Sequence, residues 1–316
     1  MRASPEPERQ DERAPLVVIV GPTAVGKTAL SLRLAARLGG EVVSADSRLF
    51  YRGMDIGTAK PTPQERAQVP HHLVDIAWPD ETVGLAEFQE LAHAAIEDIR
   101  RRGRLPLLVG GSGQYVRALL EGWRVPRVPP DPALRAELEA QAQREGSAGL
   151  VARLTELDPA AAACIDPRNV RRLVRALEVC LTTGQPFSAQ RGRHLPPYRT
   201  LRIGLTMARP ALYARADQRV DAIIAAGLEG EVRGLLARGY GFDLPAMSAL
   251  GYLQFKPYFE GQSTLDEVIA EIKRATRRFI RHQYAWFRLS DPTLHWFDAQ
   301  QPTTPEEVEA LIRARL

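Results

Sequence analysis

Gly21-Pro22-Thr23-Ala24-Val25-Gly26-Lys27-Thr28 follows the apolar run Leu16-Val17-Val18-Ile19-Val20 and opens a helical pattern from Ala29 to Leu38. Strand, glycine-rich turn and helix in that order are the setting of a phosphate-binding loop. Chemistry explains the residue types. Two glycines let the backbone turn tightly, so its N–H groups converge on a phosphate oxygen. The new helix points its positive end at the same place. Lys27 adds a full charge, and the Thr28 hydroxyl can ligate Mg²⁺. Whose phosphate is held, the loop does not say.

Further along, Glu41-Val42-Val43-Ser44-Ala45 reads as a short buried strand that ends in Asp46-Ser47-Arg48-Leu49. Polar groups at the C-terminal end of a strand in an open α/β sheet sit at the ligand crevice. Arg52 to Pro70, rich in glycine and proline, reads as a long surface loop of the kind that closes on a ligand. His72 to Ile76 suggests another strand, and Leu85 to Arg101 an amphipathic helix. Leu105 to Val109 is a strand that runs into a second glycine-rich turn, Gly110-Gly111-Ser112-Gly113. Strands alternating with helices predict an α/β fold, a P-loop NTPase-like parallel sheet flanked by helices.

The composition shifts at Pro126, Pro129, Pro130 and Pro132. Beyond them, Asp131 to Thr183 looks wholly helical. Asp-Pro pairs at Asp131, Asp158 and Asp166 are helix starts, and Gly184 followed by Pro186 is a stop. The α/β pattern returns with a strand from Leu201 to Met207 and helices Ala211 to Ala226, Glu229 to Arg238 and Leu265 to Leu289. The expected organisation is a disordered tail over 1–14, an α/β core over 15–125 and 196–316, and an all-helical insertion domain over 126–195.

With 45% hydrophobic and 25% charged residues, the chain has the balance of an ordinary soluble globular protein. No apolar run is long enough to span a membrane. Cys164 and Cys180, both in helical patterns, speak against a disulfide framework and for a reducing cytoplasm. A net charge of +4 permits an anionic partner, so where the charge sits decides more than its sum.

Asp46 suits three roles: holding Mg²⁺, taking a proton from a nucleophile as a general base, or capping a turn. The strand that ends at Gly110 carries no acid, so the acid pattern of a hydrolytic NTPase is not convincingly present. Arg215 and Arg219 share a helix face. They would suit a departing diphosphate, although spacing alone favours a solvated face with Asp217 and Asp221. Arg168, Arg171, Arg172 and Arg175 fall at i, i+3, i+4 and i+7, opposite an apolar stripe. Phosphate-backbone binding and a solvated basic face are equally consistent with that helix alone. Lys273, Arg277 and Arg281 repeat the pattern near the C-terminus. Two basic helices together favour a nucleic-acid track. His71 and His72 lack partners at metal-ligand spacing.

Together these motifs resemble the tRNA dimethylallyltransferases (tRNA isopentenyltransferases) from about Leu16 to Leu289. The phosphate loop is shared by many families. More specific are Met54-Asp55-Ile56-Gly57-Thr58-Ala59-Lys60-Pro61 and Arg172-Leu173-Val174-Arg175-Ala176-Leu177-Glu178. Gly227-Leu228 with Glu231-Val232, Leu250-Gly251-Tyr252, and Thr276 through Gln283 to Arg288 add to them. The resemblance implies transfer of a dimethylallyl group from dimethylallyl diphosphate to the exocyclic amine of the adenosine 3′ of the anticodon, in tRNAs reading codons that begin with U. It implies that residues 21–28 hold the diphosphate with Arg215 and Arg219, and that Thr28 ligates Mg²⁺. Asp46 would be the general base, and Ser112, where the family usually has Thr, would offer a hydroxyl. Asp46, Ser47, Arg48, Leu49 and Ser112, the faces with Arg168, Arg171, Arg172 and Arg175, and Lys273, Arg277 and Arg281 would meet the anticodon arm. Gln114 and His282 depart from the usual pattern. A monomer is expected. The rivals are a P-loop small-molecule or nucleotide kinase, which would bind ATP, and a non-catalytic RNA-binding module.

Overall fold

The computed structural model describes residues 13–194 and 196–316. They form two compact units: the described residues up to Leu120 with Pro197–Leu316, and Glu121–Pro196. In chain order the first elements are β1 (Ala14–Val20), α1 (Lys27–Leu38), β2 (Gly40–Ser44), α2 (Pro63–Gln68), β3 (His71–His72), α3 (Leu85–Arg101), β4 (Leu105–Gly110) and α4 (Gly113–Leu120). The smaller unit holds β5 (Trp123–Arg124), α5 (Pro132–Glu145), α6 (Ala148–Leu157), α7 (Pro159–Cys164), α8 (Val170–Thr183) and β6 (Gly192–Arg193). The larger unit resumes with β7 (Tyr198–Thr206), α9 (Arg209–Ala225), α10 (Leu228–Ala237), α11 (Lys256–Phe259), α12 (Leu265–Trp286), β8 (His295–Asp298) and α13 (Thr304–Arg315).

The large sheet is parallel throughout, in the order β3-β2-β4-β1-β7-β8. Side chains alternate across a strand. Leu16, Val18 and Val20 therefore enter one core while Val17 and Ile19 enter the other. Both faces are covered, which is why β1 is apolar at every step rather than at every second one. The C-terminal ends of β1, β2 and β4 carry the phosphate loop, Asp46 and the Gly110 turn, so sheet order sets the site.

Several expectations change. Ala14 is in β1 rather than in the tail, and residues 1–12 lie outside the described residues. Only His71 and His72 pair as a strand, because Leu73 and Asp75 turn the chain with φ of 61° and 56°. The stretch read as a loop up to Pro70 contains α2, started by a capping box between Thr62 and Glu65 with Pro63 behind the cap. β8 and α13 were not expected.

Asp131 and Asp158 cap α5 and α7 with proline in the first turn, as read. The third Asp-Pro does not start a helix. Asp166 accepts from Arg168 N, and Asn169 caps α8 through Arg172 N. The smaller unit begins at Glu121 rather than 126, since β5 pairs antiparallel with β6 and ties its two ends. Its core is Leu138, Leu150, Leu154, Leu173 and Leu177. Fully buried Glu178 accepts from Arg135, Arg175 and Asp131 N within it.

Candidate active site

Residues 21–28 form the loop between β1 and α1. Gly21 and Gly26 have φ of +146° and +110°, a region that costs other residues dearly. A Cβ on Gly21 would also lie 2.5 Å from the Leu205 carbonyl oxygen, so the loop hugs β7. Lys27 Nζ donates to the carbonyls of Gly21 and Pro22, each at 2.9 Å. Arg215, on α9, reaches over the loop: a Cβ on Gly26 would sit 3.5 Å from its Nη2. One turn further along α9, Arg219 Nη2 donates to Thr58 O at 3.3 Å.

Asp46 stands beyond β2, with β4 between it and β1. Its charge still reaches the loop. Burial pushes the Lys27 ammonium down to about 8, the Asp46 carboxylate pulls the other way, and Arg219 adds to the fall. Arg219 is itself lowered by burial, with Asp46 opposing and Arg215 contributing. Four charged groups, on α1, on α9 and just past β2, thus act on one another. Asp46 Oδ1 accepts from Arg48 N at 3.0 Å, and Oδ2 is unbonded among the described residues. Ser112 Oγ accepts from Ser47 N at 3.3 Å and so stands beside Asp46.

The second glycine-rich turn is a clearance, and no phosphate cradle is needed to explain it. A Cβ on Gly110 would meet Ala45 O at 2.3 Å; on Gly111, Gln283 Nε2 at 2.3 Å; on Gly113, Trp286 Cγ at 2.2 Å. Glycines here let β2 and α12 close on β4. Gln283, buried on α12, spans the gap: Oε1 accepts from Thr23 N at 2.8 Å, and Nε2 donates to Gly111 O at 3.1 Å. It rivets the phosphate loop to the Ser112 turn. The sequence reading quoted Gln283 and Glu231 within motifs but assigned neither a role, since their partners lie 172–260 and 174–176 residues away.

The basic candidates divide. Lys273 pairs with Asp221 at 2.6 Å, and Arg277 pairs with Asp217; both acids are on α9. Arg175 is held by Glu178 and by the carbonyls of Pro126 and Val128, and Arg168 pairs with Asp166 at 2.8 Å. Arg48 donates to Pro245 O at 3.0 Å and to Ser248 Oγ at 3.2 Å. The Leu49 carbonyl accepts from Asp75 N. These residues hold the protein's own structure first. Arg171, Arg172 and Arg281 are exposed and have no ion pair among the described residues.

Thr28 is exposed at the start of α1. Among the described residues no three His, Cys, Asp or Glu side chains gather to hold a metal ion. The Thr28 hydroxyl would serve Mg²⁺ as one oxygen donor, since that ion keeps waters and takes oxygens from a bound phosphate.

A phosphate loop faced by two arginines, with a carboxylate near enough to act on its lysine, has the parts of a P-loop group-transfer enzyme. The described residues include no helix long and apolar enough to cross a membrane. A family model described as IPP transferase matches residues 49–290, and a second, isopentenyl transferase, matches 14–75. The tRNA dimethylallyltransferase of Roseiflexus sp. (strain RS-1) is 64% identical over 274 residues, 87% of this chain and 90% of its own. The crystal structure of the full-length tRNA isopentenylpyrophosphate transferase from Bacillus halodurans is 43% identical, with a TM-score of 0.71 over 96% of this chain and 97% of its own. A eukaryotic dimethylallyltransferase captured acting on tRNA is 27% identical, with a TM-score of 0.78 over 95% of this chain and 77% of its own. The chain belongs to the tRNA dimethylallyltransferases, a family of prenyl-transferring enzymes, which favours the transferase reading over the kinase.

Proposed function

We propose that this protein transfers the dimethylallyl group of dimethylallyl diphosphate to the exocyclic amine of the adenosine 3′-adjacent to the anticodon, in tRNAs reading codons that begin with U. The products are N6-dimethylallyladenosine and diphosphate. The observation that carries the reading is the arrangement at the phosphate loop, with Lys27 on its carbonyls, Arg215 beside Gly26, and Asp46 near enough to act on Lys27 and Arg219.

As the allylic C–O bond breaks, positive charge spreads over the allyl group and negative charge gathers on the diphosphate. Lys27, Arg215, Arg219 and the loop N–H groups take that negative charge in a low-dielectric site, where fixed cations act most strongly. Thr28 would hold Mg²⁺, which supplies further neutralisation of the leaving group. The amine nitrogen bonds to the allylic carbon, and its proton passes to Asp46 Oδ2. Ser112, beside Asp46, would offer its hydroxyl to the same amine. The smaller unit would grip the anticodon arm through Arg171 and Arg172, and the target base must leave its stack to reach the chemistry. The protein would act as a monomer, and a reducing cytoplasm, where tRNA is found, would keep Cys164 and Cys180 as free thiols.

The test supplies Mg²⁺, labelled dimethylallyl diphosphate and unmodified tRNA, then digests the tRNA. Label on the adenosine beside the anticodon is expected. Asp46→Asn should lower the rate about 10²- to 10⁴-fold, the usual contribution of a general base, while diphosphate binding persists. No label on tRNA, with phosphate released from ATP instead, would overturn the reading.

A further inference from the structure

Glu231, in the first turn of α10, does not face the phosphate loop. Its carboxylate instead gathers the backbone of 55–57. Oε2 accepts from Asp55 N and Ile56 N, each at 2.8 Å, and Oε1 accepts from Gly57 N at 3.2 Å. Tyr252, fully buried, donates its hydroxyl to Oε1 at 2.5 Å. Burial first, and then the Glu231 charge, push the Tyr252 phenol upward, so it stays a donor. Gly57 must be glycine here, because a Cβ would lie 2.5 Å from the Tyr252 ring.

The other end of the segment is held as firmly. Buried Lys60 donates to Tyr51 O at 2.7 Å and to Asp55 Oδ1 and Asp75 Oδ1 at 2.5 Å. Between the two anchors the Thr58 hydroxyl bonds Met54 O at 2.6 Å. Its carbonyl is the one hydrogen-bond acceptor that the described residues offer the Arg219 side chain. Three backbone donors thus share one carboxylate. They give the Thr58 carbonyl one fixed position.

We propose that Glu231 is a positioning residue for diphosphate. It sets residues 55–58, and the Thr58 carbonyl in turn aims the Arg219 guanidinium at the phosphate loop. The inference rests on the reading that this loop holds dimethylallyl diphosphate. A conserved shape with a neutral amide would keep one acceptor but turn an N–H toward backbone N–H groups.

The test is a double-mutant cycle read by titration with inorganic diphosphate and Mg²⁺, alongside transfer kinetics. Glu231→Gln should weaken diphosphate binding about tenfold in the presence of Arg219, and by much less in an Arg219→Ala background, as coupled groups do. It should lower kcat and leave KM for tRNA unchanged. Tyr252→Phe keeps the ring against Gly57 and removes one donor. It should give a smaller loss of the same kind, again only with Arg219 present, and it serves if the Glu231 variant fails to fold. Losses that multiply independently of Arg219, or wild-type diphosphate affinity in the folded variants, would overturn the proposal. A wild-type protein that takes up no diphosphate would overturn the phosphate-loop reading itself.

Discussion

Lys27 makes diphosphate binding a proton-linked event. Burial holds its ammonium at about 8, against an ordinary value near 10.5. A bound diphosphate brings two or more negative charges beside Nζ and raises it again. The free protein is then about nine-tenths protonated at pH 7 and about one-tenth at pH 9, so affinity should fall about tenfold between them. At pH 9 binding should take up nearly one proton, read by calorimetry in buffers of different ionisation enthalpy. Lys27→Arg cancels the ligand's own titration from the comparison, since a guanidinium stays protonated across this range. Its affinity should be lower at pH 7 and its pH profile flatter above 8. Parallel profiles in the two proteins would refute the argument. Stability carries the same sign check. Below pH 8 both native and unfolded chains hold the proton, and the native one does so at a desolvation cost. From 8 toward 10.5 the unfolded chain binds the proton that the native chain has shed, so stability rises with pH there.

In the smaller unit, Glu178→Ala strands Arg135 and Arg175 beside a buried gap and should cost about 3 kcal/mol, the penalty for breaking a buried pair. Hydrogen exchange should speed up across α5 and α8; protection left as in the wild type would show that the network carries no stability. Arg171→Gln with Arg172→Gln should reduce the slope of log affinity for tRNA against log salt by roughly one to two, while Arg175→Gln should act on folding instead. An equal slope in the paired variant would remove that face from the RNA interface.

Local features were legible because their physics is local. The turn of Gly21 and Gly26, the two-sided apolar β1 and the Asp131 and Asp158 caps each need only neighbours within a few residues. So did Thr62-Pro63-Gln64-Glu65, a capping signature passed over inside a stretch taken for loop. Asp166-Pro167 shows the limit of such cues, since Asn169 makes the better cap three residues on. β8 is a short edge strand, His295-Trp296-Phe297-Asp298, with little pattern to read.

Helical spacing identified which basic residues share a face and left open what that face meets. Asp217 and Asp221 on α9 claim Arg277 and Lys273 on α12, because charges on packed helices find each other across the chain, whereas Glu178 claims Arg175 from one turn along the same helix. The glycines at 110, 111 and 113 read as a glycine-rich turn, and the fold supplies the reason: Ala45, Gln283 and Trp286 fill the space where side chains would stand. By itself the sequence determined the phosphate loop, the alternation that builds the parallel sheet, the helical insertion and the family. Only the tertiary structure decided that Asp46 shares its field with Lys27 and Arg219, that Gln283 ties two turns together, and that Glu231 accepts hydrogen bonds from a loop 174 to 176 residues away. Backbone conformation depends on neighbouring residues, whereas charge, clearance and hydrogen-bond partnership depend on what folding brings within a few ångströms.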